Sequence, residues 1–344
     1  MSESHLRGFF WLFVAGTTGG AFVLPMKFVR RWKWEHTWLV YSVLSFFIML
    51  PLVALLTVPK AWQVYHMCSA RVLWIVILNG AGWGAGSVLF GLGVDALGMA
   101  LGFSMMTGIY TALGTLVPLV VLTPDLVWTQ NGLFIIAGNI VTIIGVVLCA
   151  VAGDVRNKQT QQGEVETQLG IKFSFPVALI ICILAGIFSA MLNFAFAFGS
   201  PMIDAARQLG YSKDDGANVL WLLAILAGGI LNVGYCFYLF QRNKNWSMLW
   251  RKTAPWDWFH ATMMALLWTV SLFVYGWGAN DLGRLGPALG WSLWNAILII
   301  TTFACGWLTN EWKGSPRKAI RWLVGGIVLL LIATVLLGMG GAGA

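Results

Sequence analysis

The sequence predicts an all-α integral membrane protein, with ten transmembrane helices arranged as a five-plus-five inverted repeat. Three observations predict it. Of the 344 residues, 59% are hydrophobic and only 10% are charged, and the mean hydropathy is +0.79. Soluble domains carry about 25% charged residues, so the solvent for most of this surface is lipid. Ten apolar runs each approach the ~20 residues that a helix needs to cross ~30 Å of hydrocarbon. Finally, an odd phrase occurs twice, as FGLGVDALG at 90–98 and as YGWGANDLG at 275–283, 185 positions apart (275 − 90).

The runs lie at 8–26, 37–58, 72–93, 97–121, 131–152, 175–199, 217–240, 258–279, 286–309 and 319–340. Unsatisfied backbone is costly in lipid, so each is read as a helix. The first could imitate a signal peptide, but its positive charges follow the apolar run instead of preceding it. The longest polar segment, 153–174, contains GDVRNKQTQQGEVETQ and reads as a solvated cytoplasmic linker. It divides the chain into a first five-helix repeat at 1–152 and a second at 175–344.

Fifteen of the 21 Lys and Arg fall on one side, in the loops after helices 1, 5, 7 and 9; the other six are Arg7, Lys60, Arg71, Arg207, Lys213 and Arg284. Cytoplasmic loops hold the excess of basic residues, which predicts both termini outside the cytoplasm of a bacterial inner membrane. The net charge of +8 belongs to these loops and implies no nucleic acid. Cys68, Cys149, Cys182, Cys236 and Cys305 are scattered without a CxxC, so neither metal nor disulfide is inferred, and no cofactor.

The repeated phrase is expected to join helices 3 and 4 and helices 8 and 9, its glycines allowing tight turns and close crossings. Trp83 corresponds to Trp268 at the same spacing of 185, ALGFSM at 100–105 to ALGWSL at 288–293, and AG at 15–16 to AG at 185–186. Five helices is an odd number, so the second copy inserts upside down. Inverted repeats of this kind build transporters that bind substrate at the midplane, between the halves.

Polar residues on the inner helices are the candidates to line such a site. Helix 3 carries Asn79, Trp83 and Ser87 on one face, and helix 8 carries Trp268, Ser271 and Tyr275 on another. Helix 4 offers Ser104, with Thr107 and Thr111 beyond it; Asn193, Asn232, Trp291 and Asn295 come from helices 6, 7 and 9. The plainer reading is that Ser and Thr bond back to their own helix and that Asn joins helices. Trp32, Trp34, Trp38, Trp250, Trp256 and Trp312 lie near span ends and read as interfacial anchors.

The phrases PMKFVRRWKWE (25–35), WGAGSVLFGLGVDALGM (83–99), GIFSA (186–190), PMIDAARQLG (201–210), GGILNVGYCF (228–237), FVYGWG (273–278) and NEW (310–312) resemble those of the L-rhamnose–proton symporter family, in the drug/metabolite transporter superfamily. The resemblance covers nearly the whole chain in the same order. It implies ten helices, an inner-membrane location and uptake of a sugar, L-rhamnose first, with protons. It departs around RLGPALGWSLW at 284–294, where the family pattern is more polar and includes an acidic residue.

A proton symporter needs a titrating group, yet all thirteen acids fall at or near span ends. Asp95 and Asp281 sit at neighbouring positions of the repeated phrase and are the first candidates for coupling or gating; Glu35 and Glu311 follow. Asp281 could instead pair with Arg284, and Glu35 could be a solvated loop charge. Lys27, in the Pro-x-Lys phrase, is a gate or a snorkelling cation. No HExxH or mid-span Ser/His pair is present, and the Gly-rich run 80–86 follows no strand, so a membrane-embedded enzyme is the weaker reading. An exporter or exchanger of another metabolite or drug is the alternative within the same class. The expected partners are a small sugar, protons and the lipid bilayer, with room for a homodimer.

Overall fold

The computed structural model describes residues 3–98, 104–160, 174–250, 255–310 and 312–341, with backbone alone for 94–98, 104, 157–160, 175 and 341. Among the described residues every regular element is helical, and ten helical segments are long and apolar enough to cross a membrane. They are α1 (Glu3–Ala21), α2 (Trp34–Thr57), α3 (Ala70–Gly98), α4 (Ser104–Leu122), α5 (Gln130–Thr160), α6 (Phe175–Phe198), α7 (Lys213–Asn243), α8 (Pro255–Asp281), α9 (Gly286–Leu308) and α10 (Arg317–Gly341).

Local chemistry sets several ends. Pro25 cannot continue α1, and the chain passes into a 3₁₀ turn, Leu24–Phe28. Ser212 caps α7, its hydroxyl accepting from the Asp215 N–H. Gly283, at φ +62°, makes the turn from α8 to α9, a conformation that a Cβ would strain. α2 is not uniform: α-helical from Trp34 to Ser42, it widens to a π-helix over Val43–Met49 and tightens again over Leu50–Thr57.

The structure corrects three expectations. FGLGVDALG is not a loop but the closing turns of α3, and YGWGAND closes α8, leaving Leu282 and the 3₁₀ turn Gly283–Leu285 as the connection. Backbone at this depth satisfies itself best by staying helical. The fifth helix runs to Thr160, into the segment read as linker, because a helix that leaves the hydrocarbon can continue with polar residues in water. Two short helices, Ala61–Met67 and Ser200–Gln208, lie between spans and pack on each other; both are too short to stand out as spans.

α1 packs on α8 and α9, and α6 packs on α3 and α4. α3 lies along α7, and α2 lies along α7 and α8. α4 meets α9, and α5 pairs with α10 on the flank, each also touching its neighbour α4 or α9. Small residues permit the closest crossings: at α3–α7 a Cβ on Gly84 would collide with the carbonyl of Gly228. The main core gathers Leu12, Tyr41, Phe46, Trp83, Trp221, Trp268, Tyr275 and Trp294, so the largest aromatic groups meet in the interior. Leu56, Trp74, Val335 and Leu308 point outward, as lipid-facing residues do.

Candidate functional site

Trp83 of α3 and Trp268 of α8 meet at the centre, with ring centroids 6.0 Å apart and planes within 8° of parallel. Both are nearly buried. Helix spacing places each on an inward face, and the α3–α7–α8 packing brings the faces together. Phe22 lies 5.2 Å from Trp268 and Trp294 lies 6.3 Å from it, while Phe46 lies 5.7 Å from Trp83. Tyr41 bridges Phe22 and Phe46. The wall continues through Trp294 to Tyr275 and Trp291. Stacked and edge-on ring contacts of this kind bury large apolar area.

The polar candidates divide by what they bond. The Tyr275 hydroxyl donates to Asn193 Oδ1 at 2.5 Å, and Asn193 Nδ2 donates to the carbonyls of Gly114 and Pro287. Asn193 thus ties α6 to α4, α8 and α9, and its amide is spent. Ser271 Oγ donates to the Ala15 carbonyl and accepts from Trp294 Nε1. Asn232 Oδ1 accepts from both Ser87 Oγ at 2.7 Å and Trp38 Nε1 at 3.1 Å. Trp291 Nε1 donates to the Tyr110 carbonyl. Asn79 and Asn295 donate back to carbonyls of their own helices, Ile75 and Trp291, as the plainer reading expects. Trp268 Nε1 is buried without a hydrogen-bond partner among the described residues. The side chains of Ser104 and Asp95, and Glu311 altogether, lie outside the described residues.

The central group therefore unites Trp83, Ser87, Asn193, Asn232, Trp268, Ser271, Tyr275 and Trp291. Sequence reasoning missed Phe22, Tyr41, Phe46 and Trp294, and misread Trp38. Trp38 is no interfacial anchor: it reaches into the bundle to Asn232. Trp32 and Trp312 are likewise buried, whereas Trp250 and Trp256 are exposed as anchors should be. The missed signal was spacing: Trp34, Trp38 and Tyr41 recur at i, i+4 and i+7, one helical face.

The two ends of the bundle carry the remaining candidates. Most Lys and Arg gather at one of them, the basic end. There Lys27 Nζ donates to Thr309 Oγ1 at 3.2 Å. Glu35 is not a solvated loop charge: it is 5% exposed, on the first turn of α2, and accepts from Asn243 and Asn245. Asp257, also buried, accepts from the backbone N–H groups of Arg30 and Arg31. At the far end Asp281 does not pair with Arg284. It pairs with Arg7 of α1 at 2.6 Å, and Arg284 pairs with Asp125 at 2.9 Å. A cleft of about 610 Å³, lined by Arg7, Asn131, Lys213, Asn280, Asp281 and Arg284 among others, opens at this end. Among the described residues no group of three or more His, Cys, Asp or Glu is arranged to hold a metal.

The sequence profile of the L-rhamnose-proton symport protein family matches residues 1–343. The chain belongs to this family. An L-rhamnose-proton symporter of Cronobacter sakazakii is 30% identical over 355 residues, covering 99% of both chains. Proteins of the same name from Klebsiella pneumoniae and Escherichia coli are 28% and 29% identical over 350 residues, again covering 99% of both chains. In this chain the nearly buried aromatic centre lies between two ends, each carrying contacts between different helices.

Proposed function

We propose that this chain carries L-rhamnose into the cell together with protons, across the bacterial inner membrane. The observation that carries the reading is the match over 99% of the chain to relatives bearing that function in their names. The central aromatic cluster supports it: a deoxyhexose offers both hydroxyls and an apolar methyl-bearing edge, and Trp83, Trp268, Phe22 and Phe46 are apolar groups beside Ser87, Asn232 and the Trp268 Nε1, which has no partner among the described residues.

The halves 1–152 and 175–344, flanking the 153–174 linker, act as an inverted repeat in this reading. Its support is the pairing of helices: exchanging each helix for the one five places on turns α1–α8 and α1–α9 into α6–α3 and α6–α4. One detail extends the correspondence. A Cβ on Gly16 would lie 2.5 Å from Ile297 Cβ and 3.1 Å from the Trp294 carbonyl oxygen; one on Gly186 would lie 2.7 Å from Ile109 Cβ and 3.1 Å from that of Met106. Both glycines sit in first helices, both isoleucines in fourth helices of the other half. This arrangement also favours the drug/metabolite transporter superfamily. The basic end faces the cytoplasm and both termini face outward, on the charge bias. Asp281 with Arg7 closes the outer side, and Lys27 with Thr309 belongs to the inner closure.

The test is transport by purified protein in proteoliposomes. An inward proton gradient should drive L-rhamnose above equilibrium, and a proton ionophore should abolish the accumulation. Saturable counterflow without gradient-driven accumulation would mark an exchanger instead, and no rhamnose counterflow would remove the sugar assignment.

A further inference from the structure

Two acids are buried among the described residues, Glu35 and Asp257, and both lie at the basic end. They are held differently. Asp257 accepts from two successive backbone N–H groups, at 3.1 and 3.2 Å, and clamps the loop after α1 to the start of α8. Glu35 is held by side chains: Oε1 accepts from Asn243 Nδ2 at 2.9 Å, at the last residue of α7, and from Asn245 Nδ2 at 2.6 Å, in the connection from α7 to α8. The next residue, His36, is fully buried, its Nε2 lying 3.1 Å from the backbone carbonyl oxygen of the same Asn245. That carbonyl can only accept, so Nε2 carries the proton. His36 Nδ1 is buried without a hydrogen-bond partner among the described residues. The first turn of α2 thus hangs on Asn245 by two contacts.

α2 leads from this point to the central site. Trp38, one turn beyond Glu35, donates to the Asn232 oxygen that Ser87 also uses. Tyr41 packs on Phe22, which packs on Trp268. Ser45 bonds Thr269 at 2.8 Å, inside the π-helical stretch Val43–Met49. π-helical turns inside α-helices are frequent at functional sites.

We propose that Glu35 is the proton-coupling carboxylate, and that its contacts with Asn243 and Asn245 are a latch that protonation releases. The inference rests on the symport reading. A proton that enters with the sugar while the carrier is open to the outer side, and passes through the centre to the basic end, converts the carboxylate to the neutral acid, and the charge that strengthened both amide contacts is lost. The first turn of α2 then parts from the α7–α8 connection, hinged at the π-helical stretch, while Trp38 passes the movement to Asn232 and Ser87. Opened to the cytoplasm, the acid gives its proton to water or buffer base, and the carboxylate recaptures Asn243 and Asn245. The titratable groups that act on Glu35 are His36 on its own helix and Cys236 on α7, and the exposed Arg242 and Lys244 flank Asn243 in the sequence. Glu35 is singled out because neutral side-chain amides, free to rotate away, are its donors.

The experiment compares wild type, Glu35→Gln and Glu35→Asp in proteoliposomes, measuring L-rhamnose accumulation under a proton gradient and counterflow at equal pH. Glu35→Gln should lose accumulation entirely yet keep counterflow, which no longer depends on pH. Glu35→Asp should still accumulate, with a displaced pH profile. Cys236, buried near Glu35, gives a second readout through N-ethylmaleimide labelling scored by peptide mass spectrometry and divided, at each pH, by the labelling of the unfolded chain, because only the thiolate reacts. Its labelling should rise as pH falls in wild type and stay high at every pH in Asn245→Ala, which breaks the latch from the other side. Accumulation by Glu35→Gln equal to wild type would overturn the proposal, as would pH-independent labelling of Cys236 in wild type. Absence of accumulation in the wild type itself would instead remove the symport reading, and this inference with it.

Discussion

The two ends of the bundle close by opposite means. At the basic end two carboxylates are buried and held by neutral N–H donors: Glu35 by two asparagine amides, Asp257 by two backbone groups. At the far end the closures are ion pairs with water at hand. The Arg7 side chain is 59% exposed although Asp281 is 9% exposed, and Arg284 and Asp125 are 64% and 54% exposed. Solvent and salt screen exposed pairs, so they open at little cost. A buried carboxylate cannot leave its donors without hydration or a proton. The difference teaches that the far end can open by thermal fluctuation, while the basic end opens only with a change of charge or of solvent access.

Perturbing the buried end should have the largest effect. Asp257→Ala leaves the N–H groups of Arg30 and Arg31 without their acceptor, at a cost of roughly 2–3 kcal/mol. Thermal unfolding should register the loss, and hydrogen exchange should accelerate over residues 28–34. Unchanged exchange there would show that the clamp does not hold this end.

The centre comes next. Trp268→Ala and Trp83→Ala should each weaken L-rhamnose binding by about 1 kcal/mol or more, the scale of a lost aromatic contact in a desolvated site. Titration calorimetry would measure it. Normal affinity in both folded variants would move the sugar away from the interface between the halves.

Smaller still is Arg7→Ala at the far end. Its effect on thermal stability should be slight at low salt and vanish at high salt, since the pair is exposed on the Arg7 side. A large, salt-insensitive loss would erase the contrast between the ends.

The smallest effect is expected at Asp125. Arg284 holds the Asp125 carboxyl below its usual range by hydrogen bonding and charge. A depressed folded pKa gives stability that is present above the unfolded value, near 3.8, and lost as pH falls through the folded one. Asp125→Asn should therefore differ from wild type only marginally at neutral pH, and the difference should disappear in strong acid. A difference that grows on acidification would reverse the sign of the pairing.

Much of the fold was legible in the residues. Hydrocarbon demands a long apolar helix for each crossing, so the ten runs appeared in order, and their ends missed chiefly where helices continue into water, as α5 does to Thr160. The site was legible in part. Trp83 and Trp268, which the structure brings into ring contact, were recognisable because they stand 185 positions apart, at the spacing of the phrase that occurs twice, and Tyr275 because it shares the face of Trp268. Trp38 was not, because a tryptophan near a span end reads the same whether it faces headgroups or a neighbouring helix.

The sequence by itself determined the properties that local composition and period encode: the class, the number of crossings, the direction of the charge bias, and which residues share a helical face. Only the tertiary structure decided which faces meet. Arg7 finds Asp281 across 274 positions, and Glu35 finds Asn243 and Asn245 across more than 200. No periodicity connects such partners. Burial of a charge is a property of the neighbours that surround it, and those neighbours arrive only when α1, α2, α7 and α8 have packed.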